Sequence, residues 1–315
     1  MSTDTLARPR DLLRRLRPAT GTSLGALRLL VMLCIAVPLL QLVAFAGFHY
    51  QQLEAEADMR LQRALRISHE HATRIWSINE SLLNHVRELA AIYDGPSGVT
   101  PEAMAARLHG LVQGHPQLHS ISIHDRDGRL WASSRLDAPQ PDAGIADRGY
   151  FRWHALGRPG SHLSEVLTDQ RSGDRFIVMS VGRRTREGGF AGVVSVHMAP
   201  DYFGKFHAAI AAQEPGFAIT LFRQDGVVYS RWPALPGAPA RIAPSSEVLG
   251  RVLEGDKAGT LRSVSSLDGQ RRMVLFERIE NYPVYIGVGR EVGAVARDLA
   301  DEMALLTAVA GVPSI

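Results

Sequence analysis

The chain has 315 residues, 45% hydrophobic and 21% charged, which excludes a fully disordered, collagen-like or all-membrane protein. Its 35 Lys and Arg stand against 32 Asp and Glu, a formal charge of +3, and so small a surplus is no nucleic-acid footprint unless it is clustered. The single cysteine, Cys34, excludes an intramolecular disulfide, a CxxC redox pair and a multi-cysteine zinc site.

Residues 1–28 form a basic leader carrying Arg8, Arg10, Arg14, Arg15, Arg17 and Arg28. Residues 29–48 carry no charge and Gln41 is their one strongly polar side chain. As a helix they reach across the ~30 Å hydrocarbon core of a bilayer, so a transmembrane helix is expected here. Glu54, Glu56 and Asp58 follow it. The positive-inside rule then puts the leader in the cytoplasm and the rest outside. Ala44-Phe45-Ala46 has the form of a signal-peptidase site, the rival reading. The apolar run exceeds the ~7–15 residues of a signal peptide, which favours an uncleaved anchor.

Residues 49–99 are expected to form a stalk. Leu61, Leu65, Ala72, Ile75, Leu82, Val86 and Leu89 recur at helical steps, giving one apolar stripe. The sequence leaves open how that stripe divides between core contact and a dimer seam. Asp94-Gly95-Pro96 ends the helix. Thr100-Pro101 opens a short one, with Thr as N-cap and Pro first inside.

From there the pattern alternates and repeats. Leu118–His124, Asp127-Gly128 and Arg129–Arg135 read as strand, turn, strand, and so do Phe217–Phe222, Asp225-Gly226 and Val227–Arg231. The two Asp-Gly turns lie 98 positions apart. A second pair of strands follows in each copy, Arg175–Val181 with Phe190–Val196 and Arg271–Glu277 with Val284–Gly289. The expected fold class is α+β: a transmembrane helix, a long stalk helix and two similar tandem modules on antiparallel sheets, at residues 100–200 and 201–302. Residues 303–315 are uncharged. They read as the start of a second transmembrane helix, or as a helix that packs on the domain.

This order of elements resembles the double Cache sensor domain of bacterial histidine kinases, diguanylate cyclases and chemoreceptors. The local match is Asp147-Arg148-Gly149-Tyr150-Phe151-Arg152, Asp169-Gln170-Arg171-Ser172-Gly173, Ser180, Arg183-Arg184, Gly188–Val194 and Pro200–Phe203. The resemblance covers roughly residues 49–310 and implies two tandem PAS-like modules, of which the membrane-distal one, residues 100–200, holds a small ligand. Amino-acid-binding members grip the ligand carboxylate with an Arg and its amine with a later Asp. Here Arg148 matches the first, while His197 stands at the second place, so a cationic amine has lost its partner and a small organic anion is the expected ligand.

The candidate ligand-binding residues are Arg148, Tyr150, Phe151, Trp131, Arg183 and His197. Arg148 follows Asp147, the expected N-cap of a helix, and guanidinium holds carboxylates with two parallel bonds. The aromatics fit a pocket wall and a core equally well. Arg183-Arg184 read as a solvated strand end or as a second cation in the pocket. His197 reads as a hydrogen-bonded core histidine or a ligand contact. Alternation puts Leu130 and Ala132 on the face opposite Trp131. The histidine spacings offer no metal set, and no phosphate-binding loop, nucleophile elbow, kinase or cyclase signature is present. No cofactor, metal, nucleic-acid partner or enzymatic activity is therefore expected.

The reading is a membrane-anchored extracytoplasmic sensor of a small molecule in the bacterial plasma membrane. It is expected to dimerise through the stalk, with its output domain in a longer chain or a partner. The alternative is an anchored binding protein that acts through another membrane protein. A continuous second membrane helix would favour the receptor, and a native stop at Ile315 the partner.

Overall fold

The computed structural model describes residues 20–93, 99–135, 144–169, 173–212, 214, 216–237 and 240–310. The chain divides into two compact units, residues 57–294 and the remainder at the two ends.

Helix α1 is Thr20–Tyr93 and contains Pro38. Leu29, Ile35, Leu40 and Val43 of its first part are all more than half exposed, as an apolar segment is before a bilayer covers it. Among the described residues one helix is long and apolar enough to cross a membrane, and its window lies within Leu24–Ile92 near the N-terminus. In the end unit α6 runs Ala294–Ala310, starting well before the uncharged stretch that begins at Met303.

In the unit of residues 57–294, α2 (Pro101–Gln113) opens as its sequence requires: Thr100 Oγ1 accepts from Ala103 N at 3.3 Å. The first sheet holds β1 (Leu118–His124), β2 (Leu130–Ser133), β3 (Ser161–Thr168), β4 (Arg175–Arg184) and β5 (Phe190–Met198) in the order β2-β1-β5-β4-β3. Helix α3 (Gly149–Ala155) lies between β2 and β3 in the chain, and α4 (Pro200–Ala211) leads to the second sheet. That sheet holds β6 (Phe217–Arg223), β7 (Val228–Trp232), β8 (Ala258–Val264), β9 (Arg271–Ile279) and β10 (Val284–Glu291) in the order β7-β6-β10-β9-β8, with α5 (Glu247–Leu253) before β8.

The repeat read from the sequence is therefore a repeat of topology, and it holds to the residue. The first hairpin shifts register between Ile123 and His124, the second between Leu221 and Phe222. That is the same bulge at the 98-position offset of the Asp-Gly turns. Before β4 the amide of Asp169 donates to Asp174 O and that of Gly173 to Asp169 O. Before β9 Ser265 donates to Gln270 O and Gly269 to Ser265 O.

One core joins both sheets to α1. Leu61, Ala72, Ile75, Leu82 and Val86 of the apolar stripe are buried, and Leu65 packs against the same cluster. They meet Ile121, Met179 and Val196 of the first sheet and Ile219, Ile286 and Val288 of the second. Trp76 is fully buried and meets Phe203, Tyr229 and Tyr282 edge-on. Six of the seven stripe residues are thus core contacts, and Leu89 is half-buried outside the cluster.

Candidate functional site

Each sheet has one face on α1 and one face away from it. In β4, Ile177, Met179 and Val181 join the α1 core while Val178 joins a second cluster under α3, the period of two that a strand imposes. On that second face Tyr150 and Phe151 of α3 pack on Val178 and Val193, flanked by Ile145, Leu167 and Phe190. His197 fills the middle. It stacks on Phe176 at 4.9 Å, bonds Ser120 Oγ through Nδ1 at 3.0 Å and Ser195 Oγ through Nε2 at 3.4 Å.

His124, His154, His162 and His197 of this module are neutral at pH 7. Burial pulls His124 and His154 down to about 4 against the smaller opposing effects of Asp125 and the Ser180 bond. It pulls His162 to about 4, helped by the charges of His154, Arg223 and Arg158. Burial, then His124, His119 and Arg135, bring His197 to about 3. Burial also raises Tyr150 to about 12.

The six residues singled out in the sequence fall into two groups. Arg148, Tyr150, Phe151 and His197 lie on the α3 side. Arg148 lines a surface groove with Tyr150, Arg152, His162, Glu165 and Arg223. It is itself the N-cap of α3, without a side-chain cap bond, which corrects the assignment of that place to Asp147. Trp131 and Arg183 lie on the α1 side, where Trp131 packs against the core cluster. The Arg183 guanidinium stands 5.9 Å from the Trp131 ring centre, and both line a cleft with Ala91 of α1. For Trp131 the bulge is the physical reason, while Arg183 shares the α1 face of β4 with Ile177, Met179 and Val181. Leu130 pairs with His124 and Ala132 with Ile123, so Leu130 and Ala132 occupy opposite faces, and alternation fails across Trp131. Arg183 and Arg184 are the last residues of β4. The exposed Arg184 bonds the carbonyls of Gly188 and Gly157.

Two clusters were missed. At the rim of the first module Arg135 Nη1 lies 3.3 Å from His119 Nε2 and 3.5 Å from Asp169, and His119 lies 3.9 Å from Asp174. The strand–turn repeat held the signal, because Asp169 opens the turn that Ser265 opens in the second copy. In the second module Arg231 Nη2 and Arg272 Nη1 each reach one oxygen of Asp268, both at 2.7 Å. Burial would push Asp268 up, but Arg272, Ser265 and Arg231 outweigh it and hold the carboxyl at about 2. Arginine in a strand reads as a solvated position, so composition alone gave no sign of this pair.

Residues 200–289 match a family model described as dCache_1_like, histidine kinase sensor domain. The extracellular domain of rpHK1S-Z16, designated a histidine kinase, is 25% identical with a TM-score of 0.68, over 77% of this chain and 97% of that one. The ligand-binding domain of the Campylobacter jejuni chemoreceptor Tlp3, in complex with L-norvaline, is 15% identical with a TM-score of 0.56 over 77% and 93%. That of the Pseudomonas aeruginosa PAO1 chemoreceptor PctB, in complex with L-Arg, is 17% identical with a TM-score of 0.58 over 76% and 96%. The last two show the fold alone. No curated protein matches the chain. The apolar helix and the extracellular neighbours describe a membrane-anchored protein with an extracellular domain. The matched family is one of sensing rather than catalysis. With one strand order built twice on one helix and this match over its second module, the chain has the double Cache fold and is a sensor domain of signal transduction, as its sequence resemblance implied.

Proposed function

We propose that the chain senses a small organic anion outside the cell, with its N-terminus in the cytoplasm, and signals as a homodimer through α1 to an output domain beyond these residues. The ligand class rests on one observation: Arg148 lies in the α3-side groove beside Tyr150, and no hydrogen bond or ion pair engages its guanidinium among the described residues. Neighbours of the same fold were solved with amino acids bound, which supports a ligand of similar size. A free amine finds a neutral, hydrogen-bonded His197 at the place where a carboxylate would hold it. Trp131 and Arg183, on the α1 side, sense the position of the sheet against α1 rather than touch the ligand. Binding shifts the signalling equilibrium only by its differential affinity for the two states.

The test is a set of thermal melts of the full chain in detergent against carboxylates, amino acids, amines and purines. A ligand at 100 times its Kd adds about 2.7 kcal/mol. A carboxylate is expected to raise the melting temperature, and Arg148→Ala to abolish the rise. An amine that stabilises the Arg148→Ala variant as well as the parent overturns the reading.

A further inference from the structure

The second module has a cavity at the place that His197 fills in the first. Its floor is the face of β6, β9 and β10 away from α1, and its volume is about 70 Å³. A single water needs on the order of 10–15 Å³ on the same measure, so the space suits a molecule of a few heavy atoms. Gly287 and Gly289 of β10 open it. Thr220 pairs with Gly287 and Ala218 with Gly289. In the first module the corresponding pairs are Ser122 with Ser195 and Ser120 with His197. Glycine therefore stands where the first sheet carries an imidazole.

The charged residues lining this cavity are Arg231 and Arg272. Their side chains are 9% and 10% exposed, and the Asp268 that both hold is 12% exposed. Arg231 also donates to Thr220 Oγ1 at 3.1 Å. The Nε of each arginine is buried without a partner. Two guanidinium groups against one carboxylate leave one positive charge in a nearly dry site, and an unbalanced buried charge is strongly unfavourable. The remaining wall is mostly apolar, with Phe222, Ile242 and Val274, and includes the hydroxyls of Ser246 and Ser263.

We propose that this cavity binds a short-chain monocarboxylate of two to four carbons, its carboxylate on Arg231 and Arg272 and its alkyl end against the apolar wall. The site is separate from the groove at Arg148 and does not depend on the reading given to that groove. At Gly289 a methyl would meet Arg272 Cδ at 3.0 Å and Val274 Cγ2 at 3.3 Å, so both side chains would have to give way. Gly287 has room: a Cβ would find Phe222 Cε1 at 3.5 Å, an ordinary contact. Gly287 lines the cavity, so larger side chains there grow into it.

The test is calorimetric titration of the full chain in detergent with propionate as the probe, and acetate, butyrate and chloride alongside. Saturable binding of propionate is expected, with chloride unable to displace it at equal concentration. The titrations are repeated in the Arg148→Ala background, which removes any propionate held at the distal groove so that the cavity alone is read; a fault in the distal reading shows only in the parent's response to distal ligands. Gly287→Ala should weaken propionate severalfold and Gly287→Leu abolish it. Arg272→Lys, which keeps the charge but loses the planar fork, should weaken it at least tenfold. Should Gly287→Leu fail to fold, the Gly287→Ala and Arg272→Lys titrations decide. No binding of any of the three carboxylates, equal displacement by chloride, or full affinity in Gly287→Ala and Arg272→Lys overturns the proposal.

Discussion

The two modules share a strand order, a hairpin bulge and a turn, yet their faces away from α1 are built from opposite materials. The first face is closed by rings: His197 on Phe176, with Tyr150 and Phe151 above Val178 and Val193. The second is opened by Gly287 and Gly289 and held by Arg231, Asp268 and Arg272. By strand pairing, Arg272 (opposite Ser263) occupies the place of Phe176 (opposite Leu167). Arg231 (opposite Thr220) occupies that of Ser133 (opposite Ser122). One backbone plan thus carries a face stabilised by neutral packing and a face stabilised by charge balance. A duplicated fold leaves the α1 side common to both copies and lets the other side diverge.

The sharpest way to break the contrast is to remove its shared counter-charge. Asp268→Asn leaves two buried guanidinium groups facing each other, and loss of one member of a buried ionic group costs about 3–5 kcal/mol. Denaturant melts followed by hydrogen exchange should locate the loss in β7 and β9 and leave β4 and β5 unchanged. A uniform loss over both sheets would show that the modules unfold as one unit.

Acid should separate the modules in the other direction. His124 and His154 titrate near 6.5 in the unfolded chain but at about 4 when folded, so between those values the unfolded state binds more protons. Stability from these two groups is complete above pH 6.5 and declines as pH falls toward 4, by about 2 kcal/mol each at pH 5. Asp268 is depressed to about 2 from an unfolded value near 3.9. Its contribution is complete above pH 4 and is lost only as pH falls toward 2. Hydrogen exchange at pH 5, corrected for intrinsic rates, should therefore show β1, β4 and β5 opening before β6, β9 and β10. Simultaneous opening would mean that the buried histidines are protonated without cost.

A gentler change moves one face toward the other. His197→Ala removes the ring stacked on Phe176 and its bond to Ser120, leaving a small gap. The expected cost is about 2 kcal/mol, read from chemical denaturation. A stability equal to the parent's would show that the stack is dispensable and that the first face collapses readily.

What the sequence disclosed and what it hid follow the same division. The Asp-Gly turns, the alternation around them and the Thr100-Pro101 start are local signals, and each element formed where its chemistry required. The stripe of α1 was legible because burial of a helix face imposes its own period. Faces were harder. One extra residue in the β1–β2 hairpin placed Trp131 with the α1 core, and no side-chain pattern announces a bulge. The second module's cavity was hidden for a related reason. Gly287 and Gly289 make it by lacking side chains, and the buried Arg231 and Arg272 are paired there by Asp268, which comes to them from a turn. Both facts belong to strand pairing, which one sequence does not display.

The smallest predicted effect concerns what the modules have in common. Glu80 of α1 meets both: Tyr282 of the second module donates to its Oε2 at 2.7 Å, and Ser161 of the first donates to its Oε1 at 3.4 Å. The modules also touch directly, where Tyr229 Oη donates to Ser164 O and Arg223 Nη1 to Leu163 O, both at 2.8 Å. Tyr282→Phe removes the charge-assisted bond at Glu80 and leaves the ring in the core. The expected cost is about 1–2 kcal/mol, because the carboxylate is partly exposed and water replaces the phenol. Ser161→Ala should cost about 0.5 kcal/mol through its longer bond. The informative quantity is the double-mutant coupling between them. If Glu80 holds a fixed position between the modules, losing one bond loosens the other and the double variant departs from additivity by at least about 0.5 kcal/mol. Additive losses would mean that Glu80 anchors each module independently, and that the direct contacts through Ser164 and Leu163 carry the coupling between them.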